Sequence, residues 1–488
     1  MSNLIKWENR IKEKRQKITF NDFIKEIASW YPLILNKNNW FISRYPKSDR
    51  VKWVLKYVDF EHTRDSLISK WVEYDFSLSF FENYKVLFKS IDLPSLIIYA
   101  GNENAWFSDI VLWSKNIYLS SAIIQGCENI LYSFNVKENS VNILNSINVI
   151  DSCENVYLSV WVIKWFNIFY SRYIFNSNNV WFSRNLIWCS ECIFCENLEN
   201  KSYCINNVEL EKEEYFKKKE WILSKKKEFL DWYKKWSINW INIWNQNVSW
   251  NFIFYSENIE NWYFAYQIKN WRNILMWWGT KNNENVYDVF TGWSIWNQDL
   301  YAVTSAGANS SKLYCCAHIS FSSNLYYSYF LESCSFCIGC IWLKNKSYCI
   351  LNKQYSQDEW NILTDKIFAQ MEIDWVLWNY FPADMNPFYF NDTMASIVWN
   401  FSKEEIIKDG YMWRDEEVKV DIPEWSEVID IKDLDIVNYD ESILKKVIKD
   451  DSWNYYRIVK MEYDFLKKYN LPLPEIHWLD RIKLGFNF

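Results

Sequence analysis

Residues 128–183 read ENILYSFNVKENSVNILNSINVIDSCENVYLSVWVIKWFNIFYSRYIFNSNNVWFS, and one five-residue phrase returns through them: NILYS at Asn129, NILNS at Asn142, NVYLS at Asn155, NIFYS at Asn167 and NVWFS at Asn179. Outward, the phrase continues to NAWFS at Asn104, NIYLS at Asn116 and a divergent ECIFC at Glu191, with gaps of 12, 13, 13, 13, 12, 12 and 12 residues. A second array follows at Asn261, Asn273, Asn285, Asp299, Lys312, Asn324 and Phe336. A period held this long marks a stacked repeat fold. Each unit has a short stretch rich in Ile, Val, Tyr and Phe followed by a polar turn, which is strand then turn. In-register stacking of such units gives a parallel β-solenoid with ladders of like side chains. The bulk of Tyr and Phe, and the recurrence of the turns Gly126–Asn129 (GCEN) and Ser152–Asn155 (SCEN) two units apart, favour a coil of about 25 residues, two units per turn.

The arrays end alike. Residues 189–204 read CSECIFCENLENKSYC and residues 334–349 read CSFCIGCIWLKNKSYC, so Cys189, Cys192, Cys195 and Cys204 return 145 positions later as Cys334, Cys337, Cys340 and Cys349. The chain is a tandem duplication of array plus terminator. A Lys/Glu-rich stretch at 209–235 reads as a charged helix, and Ser356 with Glu359 forms a capping-box start for another. The expected fold is mainly β: two tandem parallel β-solenoid arrays of 12–13-residue units with helical insertions and a mixed α/β C-terminal unit. Its divisions are a mixed region 1–97, arrays 98–206 and 247–352, a helical insertion 207–246, a helical and extended segment 353–420, and a terminal unit 421–488.

The 488 residues carry a net charge of -7, and a fifth of them are aromatic. That excludes disordered and collagen-like classes and argues against nucleic acid, whose phosphates want a basic surface. No run reaches the roughly 18 apolar residues of a membrane helix. The start, MSNLIKWENRIKEKRQK, is too charged for a signal peptide, which predicts a cytoplasmic protein.

The chain holds 32 Trp and 8 Gly, where ordinary usage gives roughly 34 Gly. A UGA codon used for glycine and translated on paper as Trp would produce this imbalance, so most of these Trp are read as glycine in the organism. Trp277-Trp278-Gly279 and Thr291-Gly292-Trp293 fit turns, where only glycine freely takes positive φ; Trp413 is read as a true Trp.

The phrases CIGCIWLKNKSYCILNKQYS, NYFPADMNPFYFNDTMA and FSKEEIIKDGYMWRDEE, with YDFSLSFFENYKVLFKSIDLPSL (Tyr74 to Leu96), resemble a family of uncharacterised cysteine-rich repeat proteins of candidate-phylum bacteria. The resemblance spans roughly residues 70–488 and implies glycine at Trp342. Relatives end in a zinc-ribbon-like unit with two CxxC knuckles. Here Lys449 and Ser452 stand at the first knuckle, His477 and Asp480 at the second, and Trp453 at the knuckle glycine. Lys and Ser cannot replace two thiolates, so the resemblance implies a degenerate, metal-free unit packed around Tyr456, Ile458, Phe465 and Leu466.

Twelve cysteines in a cytoplasmic chain point to thiols or metal, not disulfides. Each CxxCxxC run with its later Cys could hold zinc or an iron–sulfur centre; the competing and favoured reading makes these cysteines small apolar ladder residues, as for Cys127, Cys153, Cys315 and Cys316. No cofactor is therefore expected, and zinc is the metal the clusters would take. The marker Asn residues read as a hydrogen-bonded ladder. Catalysis finds little support: His62, His318 and His477 are far apart, Asp109, Asp151, Asp288 and Asp299 are scattered, and residues 277–280 lack the ending of a phosphate loop. The expectation is a non-enzymatic scaffold or binding module with a protein or glycan partner. The alternatives are a carbohydrate-active β-helix enzyme and a cysteine-cluster metal or redox protein.

Overall fold

The computed structural model describes the chain except residues 1, 16, 39–40, 52–69, 100, 226–241, 244–245, 255–256, 267–268, 273–274, 279–286, 294–297, 307–308, 416–421, 423, 425 and 486–488; for 242–298 only main-chain strands are described. It forms two units. One comprises residues 97–238 and 416–488, the other 1–96 and 239–415.

In the unit of the first array, left-handed backbone returns at every third residue: Asn142 (φ 57°), Asn145 (50°), Asn148 (54°) and Asp151 (69°) turn one coil. A coil is therefore four-sided, with three residues to a side. The residue after each turn points inward, and Ile143, Ser146, Val149 and Cys153 are all buried. The 13-residue coils place their extra residue at one corner, where Gln125 with Gly126, Glu138 with Asn139 and Asp151 with Ser152 form consecutive positive-φ pairs. Repetition builds two parallel ladders of strands. One runs from Asp109–Leu112 to Glu196–Glu199 in eight strands, the other from Glu103–Trp106 to Ser202–Ile205 in nine, with Val208–Glu209 added antiparallel as a tenth.

Glu154 pairs with Val141 on one side and Phe166 on the other, so one 12–13-residue unit makes a whole coil. The expected coil of two units is thereby corrected. Only Ile, Val, Leu, Ala and Cys form the apolar interior, with Ser between them. Tyr132, Leu158, Tyr170 and Phe182 sit at corners with left-handed backbone and point out of the coil. There they are buried by the chain's end, against Ile448, Tyr456, Ile458, Phe465, Leu466 and Leu473.

In the other unit the second array forms a 13-stranded sheet. Its strands, such as Gln298–Ala306 and Ser311–Ser320, run through a corner. Helices Ser2–Arg15, Phe20–Ile27, Phe80–Ser90 and Gln357–Ile373 belong to the same unit; Tyr326 donates to Glu8 at 2.7 Å and Thr304 to the Ile27 carbonyl at 2.9 Å. Ser356 and Glu359 form the capping box that starts Gln357–Ile373. Trp277 and Trp278 pair with Gly292 and Trp293 in parallel strands. Gly279, the last residue of the first segment, lies outside the described residues.

Both arrays close with the same device. The last strand folds back antiparallel, Cys204 opposite Glu209 and Cys349 opposite Gln354. Asn207 accepts from the Glu196 N–H at 2.8 Å and donates to its carbonyl at 2.9 Å. Asn352 does the same to Ile341, at 2.9 Å in each direction. These mimic the main-chain bonds a further coil would make.

Candidate functional site

The marker asparagines form one directed chain. Each side-chain amide donates to the next: Asn104 to Asn116, Asn129, Asn142, Asn155, Asn167 and Asn179, at 2.8–3.0 Å throughout. The turn position selects Asn, whose short polar side chain tolerates left-handed backbone. The last donation goes to Glu191. The row lies on the outer side of its ladder of strands; most of its residues are half-exposed, while Asn155 is buried.

The two cysteine sets occupy the inside of the last coils. All eight are buried thiols, as are the other four, and no disulfide is present. Cys189, Cys192 and Cys195 take three successive inward positions, spaced by three, and Cys204 lies one coil on, in register with Cys192. The Cys192 thiol donates to the Ser190 carbonyl at 3.5 Å and that of Cys204 to the Ser202 carbonyl at 3.4 Å. Cys337 stands at the same position in the second array, in register with Cys349. The neighbouring sulfurs of Cys189 and Cys195, then burial, push Cys192 far above the ordinary thiol range; burial, then the neighbouring sulfurs, does so for Cys337. The neighbouring Cys192 thiol pulls Cys189 and Cys195 below it. Among the described residues no three His, Cys, Asp or Glu side chains are placed to hold a metal ion. Cys127 and Cys153 are ladder residues inside the first array, and Cys316 donates to the Tyr314 carbonyl.

The knuckle-like positions of the terminal unit are joined by a carboxylate. Buried Asp450 accepts the main-chain N–H groups of Ser452 and Asn454 through Oδ1, both at 2.9 Å, and that of His477 through Oδ2 at 3.0 Å. Asn454 then donates to Asp480 at 3.0 Å. Lys449 lies over the Trp453 ring, 3.5 Å from its centre. Sequence reasoning missed Asp450, although an Asp three residues before Trp453 carries the signature of an Asx-type turn.

Among the described residues the candidate acids and bases do not converge. Asp109 accepts from the Ile97 N–H, Asp151 pairs with Lys164 and Asp299 with Lys12; His62 and the Asp288 side chain lie outside the described residues. His318 is buried and stacked on Phe330, with ring centres 4.5 Å apart. Burial, then Arg44, holds it neutral, well below the usual imidazole range. An open cavity of about 520 Å³ at the end of the first array is lined by Ile205, Asn206, Val208, Leu210, Lys218, Trp221 and Ile222, with no acid among them. Among the described residues no helix is long and apolar enough to cross a membrane.

The chain matches no protein-family model, no curated protein and no solved structure.

Proposed function

We propose that this duplicated β-solenoid is a non-enzymatic scaffold or binding module that works in the cytoplasm. The observation that carries the reading is the row from Asn104 to Glu191. Each inner carboxamide uses one N–H and one lone pair along the ladder; Asn155 and Asn179 spend their second N–H on Glu154 and Asn178, while half-exposed Asn116, Asn129, Asn142 and Asn167 keep a donor and an acceptor for a partner. Rungs repeat at about 4.8 Å, a regular polar surface suited to an extended protein segment or a glycan. The net charge of -7 argues against nucleic acid, and twelve unpaired thiols fit a reducing compartment.

Glycoside hydrolysis would need two carboxyl groups roughly 5 to 10 Å apart across a groove, and Asp109, Asp151 and Asp299 are spent on a main-chain N–H group and on lysines. The test is to incubate the full chain with host lysate and with a polysaccharide panel, and to map bound material by cross-linking. Contacts along residues 104–191 that weaken in Asn129→Ala support the reading. Turnover of a glycan by the purified chain, or binding unchanged by that substitution, overturns it.

A further inference from the structure

Two unlike ladders run inside the first array, and both carry cysteine in its last coils. One is serine: Ser171, Ser183 and then Cys195 on one side, Ser177 and then Cys189 on the opposite side, each Cys accepting its neighbour's register through an N–H to serine Oγ bond. The other is aliphatic: Ile168, Val180, then Cys192 and Cys204. The second array repeats this. Ser322 precedes Cys334, Ser328 precedes Cys340, and Leu325 precedes Cys337 and Cys349. Serine and cysteine interchange on the serine ladder elsewhere, as where the Cys153 N–H bonds to Ser140 Oγ, so packing accepts either there. Among the described residues the aliphatic ladder takes cysteine in the final coils of both arrays and beside those serine-ladder cysteines, and that repeated switch calls for a demand on sulfur.

The coil supplies the geometry. Cys189 and Cys195 lie on opposite sides of one four-sided coil, so the line between them crosses it. Cys192 and Cys204 are stacked on the intervening side, so the line between them runs along the stack. Two crossed, perpendicular pairs are the opposite edges of a tetrahedron, which is the arrangement zinc takes with four thiolates.

Main-chain N–H groups also reach the sulfurs: Lys201 to Cys189, Asn207 to Cys195 and, in the copy, Asn352 to Cys340 at 3.4 Å. Such donors stabilise bound thiolates. In the thiol form, each of the eight sulfurs instead donates to the carbonyl two residues before it, at 3.3–3.6 Å. A thiolate has no proton to donate there and is released to turn toward the coil axis.

We propose that each four-cysteine set, Cys189, Cys192, Cys195 and Cys204 and its copy Cys334, Cys337, Cys340 and Cys349, is a structural site for one Zn²⁺, which displaces the thiol protons. The arrays themselves provide the test variants. Cys189→Ser, Cys192→Val, Cys195→Ser restores what the preceding coil carries, and Cys334→Ser, Cys337→Leu, Cys340→Ser does so in the second array. Both variants should keep the fold, as judged by circular dichroism.

Reduced full-length protein is titrated anaerobically with Zn²⁺ and, separately, with Co²⁺, whose tetrahedral tetrathiolate gives a distinctive visible spectrum. The expected stoichiometry is two per chain in the unaltered protein, one in either triple variant and none when they are combined. Cys153→Ser should leave two. Absence of tetrathiolate cobalt from the unaltered protein, or metal retained by the combined variant, overturns the proposal.

Discussion

Glu191 ends the asparagine ladder: its Oε1 accepts the Asn179 amide at 2.8 Å, and its Oε2 takes Lys219 at 2.6 Å. A carboxylate only accepts, so it is a natural terminus for a chain in which every amide donates in the same direction. The next rung is Tyr203, which packs edge-on against Tyr215.

Within that ladder Asn142 both accepts from Asn129 and donates to Asn155, and its φ is 57°. Asn142→Gly removes the bonds but keeps the backbone free, and should cost about 1–2 kcal/mol. Asn142→Ala adds the left-handed penalty of roughly 1 kcal/mol or more. Urea unfolding should rank them wild type, Gly, Ala; equal losses would mean that the backbone term is absent.

Arg481 and Glu462 form an ion pair at 2.7 Å with both side chains fully buried. Burial raises the Glu462 carboxyl above its ordinary range despite Arg481, so desolvation outweighs the attraction on the acid. Arg481→Met should therefore destabilise by roughly 3–5 kcal/mol, and adding Glu462→Met should recover much of it. A double variant no more stable than the single one would contradict this.

His477 is pushed down to about 4 by burial first and Arg481 second, while its Nδ1 accepts the Leu479 N–H at 3.3 Å. The unfolded imidazole binds a proton near pH 6.5 and the folded one only near 4, so the unfolded state takes up more protons between those values. Stability is full above about 6.5 and falls as pH drops toward 4, by at most on the order of 3 kcal/mol. His477→Asn, which keeps a capping acceptor, should flatten that part of the pH profile in thermal melts.

Three helices end in the same motif, with a left-handed residue after the cap. The chain uses Gly410 (φ 93°) after Lys403–Lys408, Asn470 (53°) after Lys460–Lys468 and Trp375 (59°) after Gln357–Ile373. Trp375 N–H bonds to the Glu372 carbonyl and Val376 N–H to that of Met371, the Schellman pattern that favours glycine. Trp165 stands on the inward serine rung with φ 109° and is 43% exposed, since an indole cannot enter a three-residue side. Trp375→Gly and Trp165→Gly should each raise the melting temperature by a few degrees, about 1 kcal/mol of relief. Intact mass of the protein from its native host should fall below that of the printed sequence, and peptide mapping should place glycine at these positions; a mass equal to that of the printed sequence would end the recoding reading.

The period, the duplication and the ladder partners were legible because like residues recur along the chain. Coil size was not. It depends on left-handed backbone at every third residue, which Leu158, Tyr170 and Phe182 adopt with no sign of it in their type. The covering of those same corners by Phe465 and its neighbours is equally silent in the sequence, since contacts near 300 residues apart leave no local pattern. The cysteines stood out by spacing, but their crossed pairs become visible only once twelve residues are known to close a coil.

A coil of 12–13 residues also governs how the chain gets made. Nearly every contact inside an array joins residues one coil apart, so each new turn can dock on its predecessor soon after leaving the ribosome, with little loop-closure entropy to overcome. The segment 427–484 that covers the first array lies far downstream of it in the chain. Until that segment emerges, the outward tyrosines and phenylalanines of a finished coil wait uncovered, which makes that interval of translation the time of greatest exposure to aggregation.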